Sequence, residues 1–375
     1  MLAAPLDLLK KYVNMPSGSR DREDVARVAE TFSRDFADLG FRTELIPGKE
    51  CGPVMKAEIG TGSLCLLLMG HMDTVFPHDM AVPYTDLGNG KALGSGIMDM
   101  KGGNVVMLHA LARALPRLDL SRVRLCAVLN PDEELGSPES RGVILDTARR
   151  SFAALSFEPC SDSYRLTCAR KAVSSVHITC EGIAGHAGNQ YKTSASAIQA
   201  LCAHITALYS LRDDSRDISF NAGLISGGTA ENVVAPLAKA ECEFRYFNPD
   251  YREELMRRIR EITAVERVPG VKTSIQFIDS QPAVDLTEKS RRLLDLALRV
   301  SEEQGQPRHH KRVGGAGDIA FAAQAGIGVL DGLGLAGGGM HTTEEYALLE
   351  SLPRQIDFAA EMIVRTAAAE LAGAL

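Results

Sequence analysis

The spacing of apolar residues changes character twice along this chain. Early on, continuous apolar runs such as SLCLLLMG (63–70) and RVRLCAVLN (122–130) alternate with helical patterns. REDVARVAETFSRDFADLG (22–40) carries apolar residues at helical spacing and closes on Gly40; KGGNVVMLHALARALPRL (101–118) predicts a second helix. AALSFEP (153–159) predicts a third short strand. Short buried strands between helices predict an α/β sheet covered on both faces.

From residue 172 the pattern becomes strand (AVSSVHITCEG), helix (SASAIQALCAHITALYSL), strand (DISFNAGLIS), strand (AKAECEFRYF), helix (DYREELMRRIREITAV) and strand (KTSIQFID). Ala240, Cys242, Phe244 and Tyr246 alternate at period two, as half-exposed strands do. A β-α-β-β-α-β order of this kind predicts a ferredoxin-like unit, here an inserted domain spanning 172–280. Helix and strand patterns then resume in KSRRLLDLALRVSEE, DIAFAAQAG, IGVLDGL and RQIDFAAEMIVRTAAAEL. The larger domain is therefore expected to be discontinuous, 1–171 plus 281–375.

A length of 375 residues fits this two-domain division. The net charge of −7 provides no basic footprint for nucleic acid. No apolar run is long enough for a membrane span, and the amphipathic start MLAAPLDLLKKYVNMPSGSR does not read as a signal peptide. Eight cysteines without a C-x-x-C pair, several inside apolar runs, predict free buried thiols and a cytoplasmic location.

Chemistry-bearing residues follow the predicted strands: His71 and Asp73 in GHMDTV, Asp99 in GIMDMKGG, Glu133 and Glu134 in PDEELGS, Glu158 in FEP, and His341 in GLGLAGGGMH. Taken singly, each also fits a structural role: a loop histidine, a helix cap at Asp99, a solvated turn at 133–134. Glu158 is harder to dismiss, because a carboxylate closing a buried strand needs a partner. Jointly they form an N/O donor set at the strand exits of one sheet, where open α/β sheets bind ligands. Five donors exceed one closed site and suit two divalent ions bridged by a carboxylate. Such a cluster of carboxylates is tolerable in one pocket only with cations present. GLGLAG (332–337) matches a dinucleotide fingerprint in form, but no βαβ continuation follows it.

Together with GHAG and GGAGDIAFAA, these motifs resemble in order those of the M20 metallopeptidases, in particular the glutamate carboxypeptidase branch, along essentially the whole chain. The resemblance implies a mixed-sheet zinc-peptidase catalytic domain with an inserted lid/dimerisation domain. It further implies His71 and Glu158 on one ion, Glu134 and His341 on the other, and Asp99 between them. Zinc is the expected metal, with cobalt or manganese also compatible. By the same resemblance Glu133 is the general base and Asp73 the carboxylate orienting His71. Neighbouring residues of an extended chain point to opposite sides, which would let Glu134 face metal and Glu133 face water.

In the inserted domain, His186 resembles the lid histidine that in dimeric relatives reaches the neighbouring subunit's site and stabilises an oxyanion. Asn232 and Arg245 resemble substrate contacts, Arg245 suiting a carboxylate. The expected reaction is amide cleavage of N-acyl amino acids or small peptides with a free C-terminal carboxylate, in a homodimer formed through the lid. A deacylase or aminopeptidase of the family is the alternative, and a non-enzymatic binding protein a third reading. Three departures stand out: Gly185 where relatives carry Ser, QYKTSASA in place of the usual Pro-containing run, and Gln281 where glutamate-releasing enzymes carry Arg.

Overall fold

The computed structural model describes residues 2–161 and 163–374, with the backbone alone at 279 and 280. By internal contacts the chain divides into two units: Met1–Ala169, Leu286–Val313 and Gly317–Leu375 form one, and Arg170–Asp285 with Gly314–Ala316 the other. The 314–316 turn groups with the second unit because Arg170 donates to the Ala316 carbonyl and Arg245 to that of Gly314.

The first unit is built on a six-stranded mixed sheet in the order Arg42–Ile46, Val54–Ile59, Val123–Asn130, Leu64–His71, Ala153–Ser156, Gly328–Leu330. The last four strands are mutually parallel; the first two join antiparallel. Parallel strands covered on both faces are apolar throughout, and from Cys65 to His71 every residue is buried. The helix Lys101–Ala114 is buried on nearly all sides, as an apolar-all-round helix must be, and packs against the C-terminal helix Ser351–Leu371. It ends four residues before the expected stop, where Pro116 converts the chain to a 3₁₀ turn over Leu115–Arg117. A second, antiparallel sheet of short strands in this unit runs Gly337–Gly338, Tyr346–Leu348, Lys91–Leu93, Thr85–Gly88.

The second unit has the strand order Ser219–Gly227, Leu237–Tyr246, Ala172–Glu181, Lys272–Gln281, all antiparallel, with helices Ala197–Leu208 and Tyr251–Thr263. In chain order this is 2-3-1-4, the ferredoxin-like arrangement read from the pattern. Burial alternates strictly along Ala172–Cys180, and the helices contribute Ala197, Ala200, Leu201, Leu255, Met256 and Ile259 to its core. The chain enters and leaves side by side: Arg170 N donates to Val284 O at 3.0 Å and Val284 N to Arg170 O at 2.9 Å. Among the described residues no helix is long and apolar enough to cross a membrane. The eight cysteines are free, and Cys202 is exposed.

Candidate metal centre

His71 is the last residue of its strand and is 1% exposed. Its Nδ1 lies 3.0 Å from the Asp73 carbonyl and 3.2 Å from Asp73 Oδ1. A ring N–H directed there turns Nε2 the other way, 3.1 Å from Asp99 Oδ1 and 3.9 Å from Glu158 Oε1. From behind, Asn104 Nδ2 donates to the His71 carbonyl at 2.6 Å. Burial works against charge on the ring, yet the Asp73 and Asp99 carboxylates raise its pKa well above the ordinary value.

Glu133 and Glu134 follow the Val123–Asn130 strand but are not extended. They sit in a 3₁₀ turn, Glu133–Leu135, closed by Gly136 at φ +82, a conformation suited to glycine. The local reason is Asp73: its fully buried carboxylate accepts Glu133 N at 3.1 Å, Glu134 N at 3.2 Å and Ser19 Oγ at 2.7 Å. Two orphan N–H groups converging on one acceptor wind the chain into a turn, so the divergence of the two side chains does not come from strand alternation. Asp132, Ser137 and Ser140 close the same turn: Asp132 accepts Glu139 N and the Ser140 hydroxyl, while Ser137 donates to Asp318.

The expectation that every donor leaves one sheet is corrected at Asp99 and His341. Asp99 lies between the Lys91–Leu93 strand and the Lys101–Ala114 helix, and His341 in the hairpin joining Gly337–Gly338 to Tyr346–Leu348. Both therefore hang from the small antiparallel sheet, whose strands pair through Tyr346↔Leu93 and Ala347↔Ala92. Nor does Asp99 cap the helix: the N-cap is Met100, with no side-chain cap bond. His341 has φ +63, and its side chain is 56% exposed.

Two donor sets result, His71–Asp99–Glu158 and Asp99–Glu134–His341, each with ligand atoms within 4.8 Å of one another. Nε2 of His341 is 3.3 Å from Asp99 Oδ2 and 3.2 Å from Glu134 Oε2. Ligand bonds of about 2.1 Å in a tetrahedron separate donors by about 3.4 Å, which the distances around both imidazoles bracket. The electrostatics suit a cation too. Hydrogen bonds to Asp99 and Glu134 raise His341 to about 10, so protons hold places a metal ion would take. Burial, reinforced by the nearby Asp318 charge, raises Glu133 well above the usual carboxylate range. Burial raises Glu134 as well, opposed by its bond to His341.

The remaining candidates lie in the second unit. Gly185–His186 pairs with Val233–Val234, and Ala187 N donates to Asn232 O at 3.0 Å, which brings His186 and Asn232 together. His186 Nδ1 accepts Gly188 N at 3.1 Å and Asn189 N at 3.3 Å, so the ring proton sits on Nε2. Arg245 stands apart on its strand. Glu243 takes its guanidinium in a bidentate pair, at 2.6 Å from Nε and 3.0 Å from Nη2, and Gly314 O accepts Nη1 at 2.9 Å. Gln281 is buried at the end of Lys272–Gln281.

Residues 67–365 match peptidase family M20/M25/M40. The chain belongs to that family. It is 30% identical over 372 residues to carboxypeptidase G2 of Pseudomonas sp. (strain RS-16), across 96% of this chain and 89% of that protein. Its fold is similar to aminopeptidase PepT from Bacillus cereus ATCC 10987, with TM-score 0.81 and 19% identity over 97% and 98% of the two chains. It is likewise similar to the YXEP protein of Bacillus subtilis, a dinuclear metal binding peptidase from the M20 family, with TM-score 0.72 and 15% identity over 97% and 98%. The M20 chain is thus a metal-dependent exopeptidase.

Several residues of this peptidase escaped the sequence reading. Ser19 holds Asp73, and Asn104 holds His71. Asp318, inside GGAGDIAFAA, accepts Asn130 Nδ2 at 2.6 Å and is raised to about 6 by burial. Asn104 carries a signal, a polar residue inside an apolar helix, and Asp318 another, its place in a motif that resembles the family's.

Proposed function

We propose that this M20 peptidase is a dinuclear hydrolase that cleaves the amide bond of N-acyl amino acids or small peptides with a free C-terminal carboxylate. His71 and Glu158 would hold one ion, Glu134 and His341 the other, with Asp99 in reach of both; zinc suits these donors, and cobalt or manganese would also fit. One observation carries the reading: Asp99 Oδ1 faces His71 while Oδ2 faces His341. When bound, the ions supply a Lewis acid and a water of lowered pKa.

Glu133 takes a proton from the attacking water and returns it to the leaving nitrogen, a role suited to a carboxyl whose proton affinity is raised. Asp73 keeps His71 in the tautomer that presents Nε2 and fixes the turn carrying Glu133. Residues 172–280 act as a lid, in which His186 offers Nε2–H to the oxyanion and Asn232 and Arg245 contact substrate. The exposed Leu224 and Ile225 on the edge strand Ser219–Gly227 support a homodimer through this lid.

A second reading, an aminopeptidase, is favoured by the Glu243–Arg245 pair, which occupies the cation a C-terminal carboxylate would need. Hydrolysis of N-acyl amino acids and dipeptides with acidic, neutral, basic and amidated C-termini separates the two. Glu133→Gln tests the mechanism common to both: metal content is kept while kcat falls by roughly 10²–10⁴. Undiminished turnover in that variant would sink it.

A further inference from the structure

Glu345 is 2% exposed, and its carboxylate points into the segment that ends at Asp99. Oε2 accepts Gly96 N at 2.9 Å, and Oε1 accepts Met98 N at 2.8 Å and Asp99 N at 3.0 Å. Its backbone carbonyl accepts Gly94 N at 3.1 Å. One residue therefore ties down four positions between Gly94 and Asp99. On its other side, Glu345 N donates to Thr342 O at 3.1 Å, and Thr342 N and Oγ1 donate to Gly339 O at 3.1 and 2.7 Å. This closes the turn in which His341 is held at φ +63.

The two loops come from strands of only two or three residues, too short to fix side-chain positions several residues away. His71 and Glu158, by contrast, leave long or central strands of the main sheet. The Asp99–Glu134–His341 donor set thus depends on something beyond the ladder to keep Asp99 and His341 in reach. A buried carboxylate accepting three N–H groups supplies it, since charge-assisted bonds are both strong and directional.

We propose that Glu345 is a positioning residue that locks the Asp99 loop to the His341 loop and sets the affinity of the Asp99–Glu134–His341 half of the site. The inference rests on the dinuclear reading above. It touches neither substrate nor reacting atoms; it acts through the two ligand loops.

The test is calorimetric titration of chelator-stripped protein with Zn²⁺, alongside far-UV circular dichroism. Wild type takes up two ions per chain. In Glu345→Gln one carboxylate oxygen becomes an amide that cannot accept from these N–H groups. The second ion, which loses the hold on both Asp99 and His341, then binds roughly 10–100-fold more weakly, and the first, which shares only Asp99 with the tethered loops, loses less. Glu345→Asp, which keeps the charge but shortens the reach, weakens the second ion as well. A folded Glu345→Gln that binds both ions as tightly as wild type overturns the inference while leaving the dinuclear reading intact. A wild-type chain that takes up a single ion overturns both. Wild type provides a check that does not depend on any variant folding. Coupling is reciprocal, so the second equivalent of Zn²⁺ must slow amide exchange at Gly96, Met98 and Asp99, and unchanged exchange there also overturns the inference.

Discussion

The side-chain amide of Asn104 donates to the backbone carbonyl of His71 at 2.6 Å, across the gap between the central helix and the strand that ends in the ligand. The neighbouring Gly70 makes this possible: a Cβ there would sit 2.1 Å from Asn104 Oδ1 and 2.9 Å from the Met100 methyl. Gly70→Ala should therefore destabilise the fold by about 1–3 kcal/mol in urea unfolding, the range of an overpacked core. Adding Asn104→Ala removes the clash, so the double variant should be less destabilised than the two single losses summed. Simple additivity would mean that the two residues do not meet as described.

Asp73 holds three donors and one imidazole at a single buried carboxylate. Asp73→Ala should weaken Zn²⁺ binding roughly 10–100-fold and lower kcat, with the chain still folded by circular dichroism. Full metal content together with wild-type kcat would remove Asp73 from the machinery.

On the proposed reading, a substrate carboxylate would have to compete with Glu243 for Arg245. Glu243→Gln should lower KM for substrates with a free C-terminal carboxylate by up to roughly fivefold, the upper end of the 0.2–1 kcal/mol of an exposed ion pair. C-terminally amidated substrates should be indifferent. Arg245→Ala should raise KM for the first group only. Equal effects on both groups would show that the pair serves the strand and not recognition.

His204 is fully buried in the second unit, with Nε2 3.1 Å from Thr273 Oγ1. Burial, helped by the charge of Arg267, lowers its pKa below the ordinary histidine value. The unfolded chain takes up that proton near pH 6.5 and the folded chain only at lower pH. The stabilising contribution is therefore complete above about pH 6.5 and lost as pH falls toward the folded value. Urea midpoints measured from pH 8 to pH 5 should drop more steeply for wild type than for His204→Gln. Parallel slopes would exclude His204 as the cause.

How much of this was legible beforehand follows from where each residue is held. His71, Glu158 and the 133–134 pair leave strands with strong apolar runs, and those runs mark both the strand and its exit. Asp99 and His341 hang from strands two or three residues long, below anything a periodicity resolves, so the pattern alone assigns them to the wrong sheet. The 133–134 turn is dictated by Asp73, some 60 residues earlier in the chain, and no local pattern encodes that. Glu345 and Asn104 act on partners 246 and 33 residues away; their roles exist only once the loops have met. In the second unit the Ala172–Glu181 and Leu237–Tyr246 strands run ten residues each with near-strict alternation of burial, so their period of two shows in the chain itself.

The side-by-side entry and exit at Arg170 and Val284 have a consequence for synthesis on the ribosome. Apart from the 314–316 turn, every residue of the second unit has been made once residue 285 is added. The first unit at that moment still lacks Gly328–Leu330, which completes its sheet, and Ser351–Leu371, which packs on its central helix. The nascent chain thus carries a finished ferredoxin-like body while its parallel sheet is still open, with the Ala153–Ser156 edge waiting for a strand some 170 residues downstream. That interval is when an uncovered apolar edge is most open to misassembly, and where chaperone contact should concentrate.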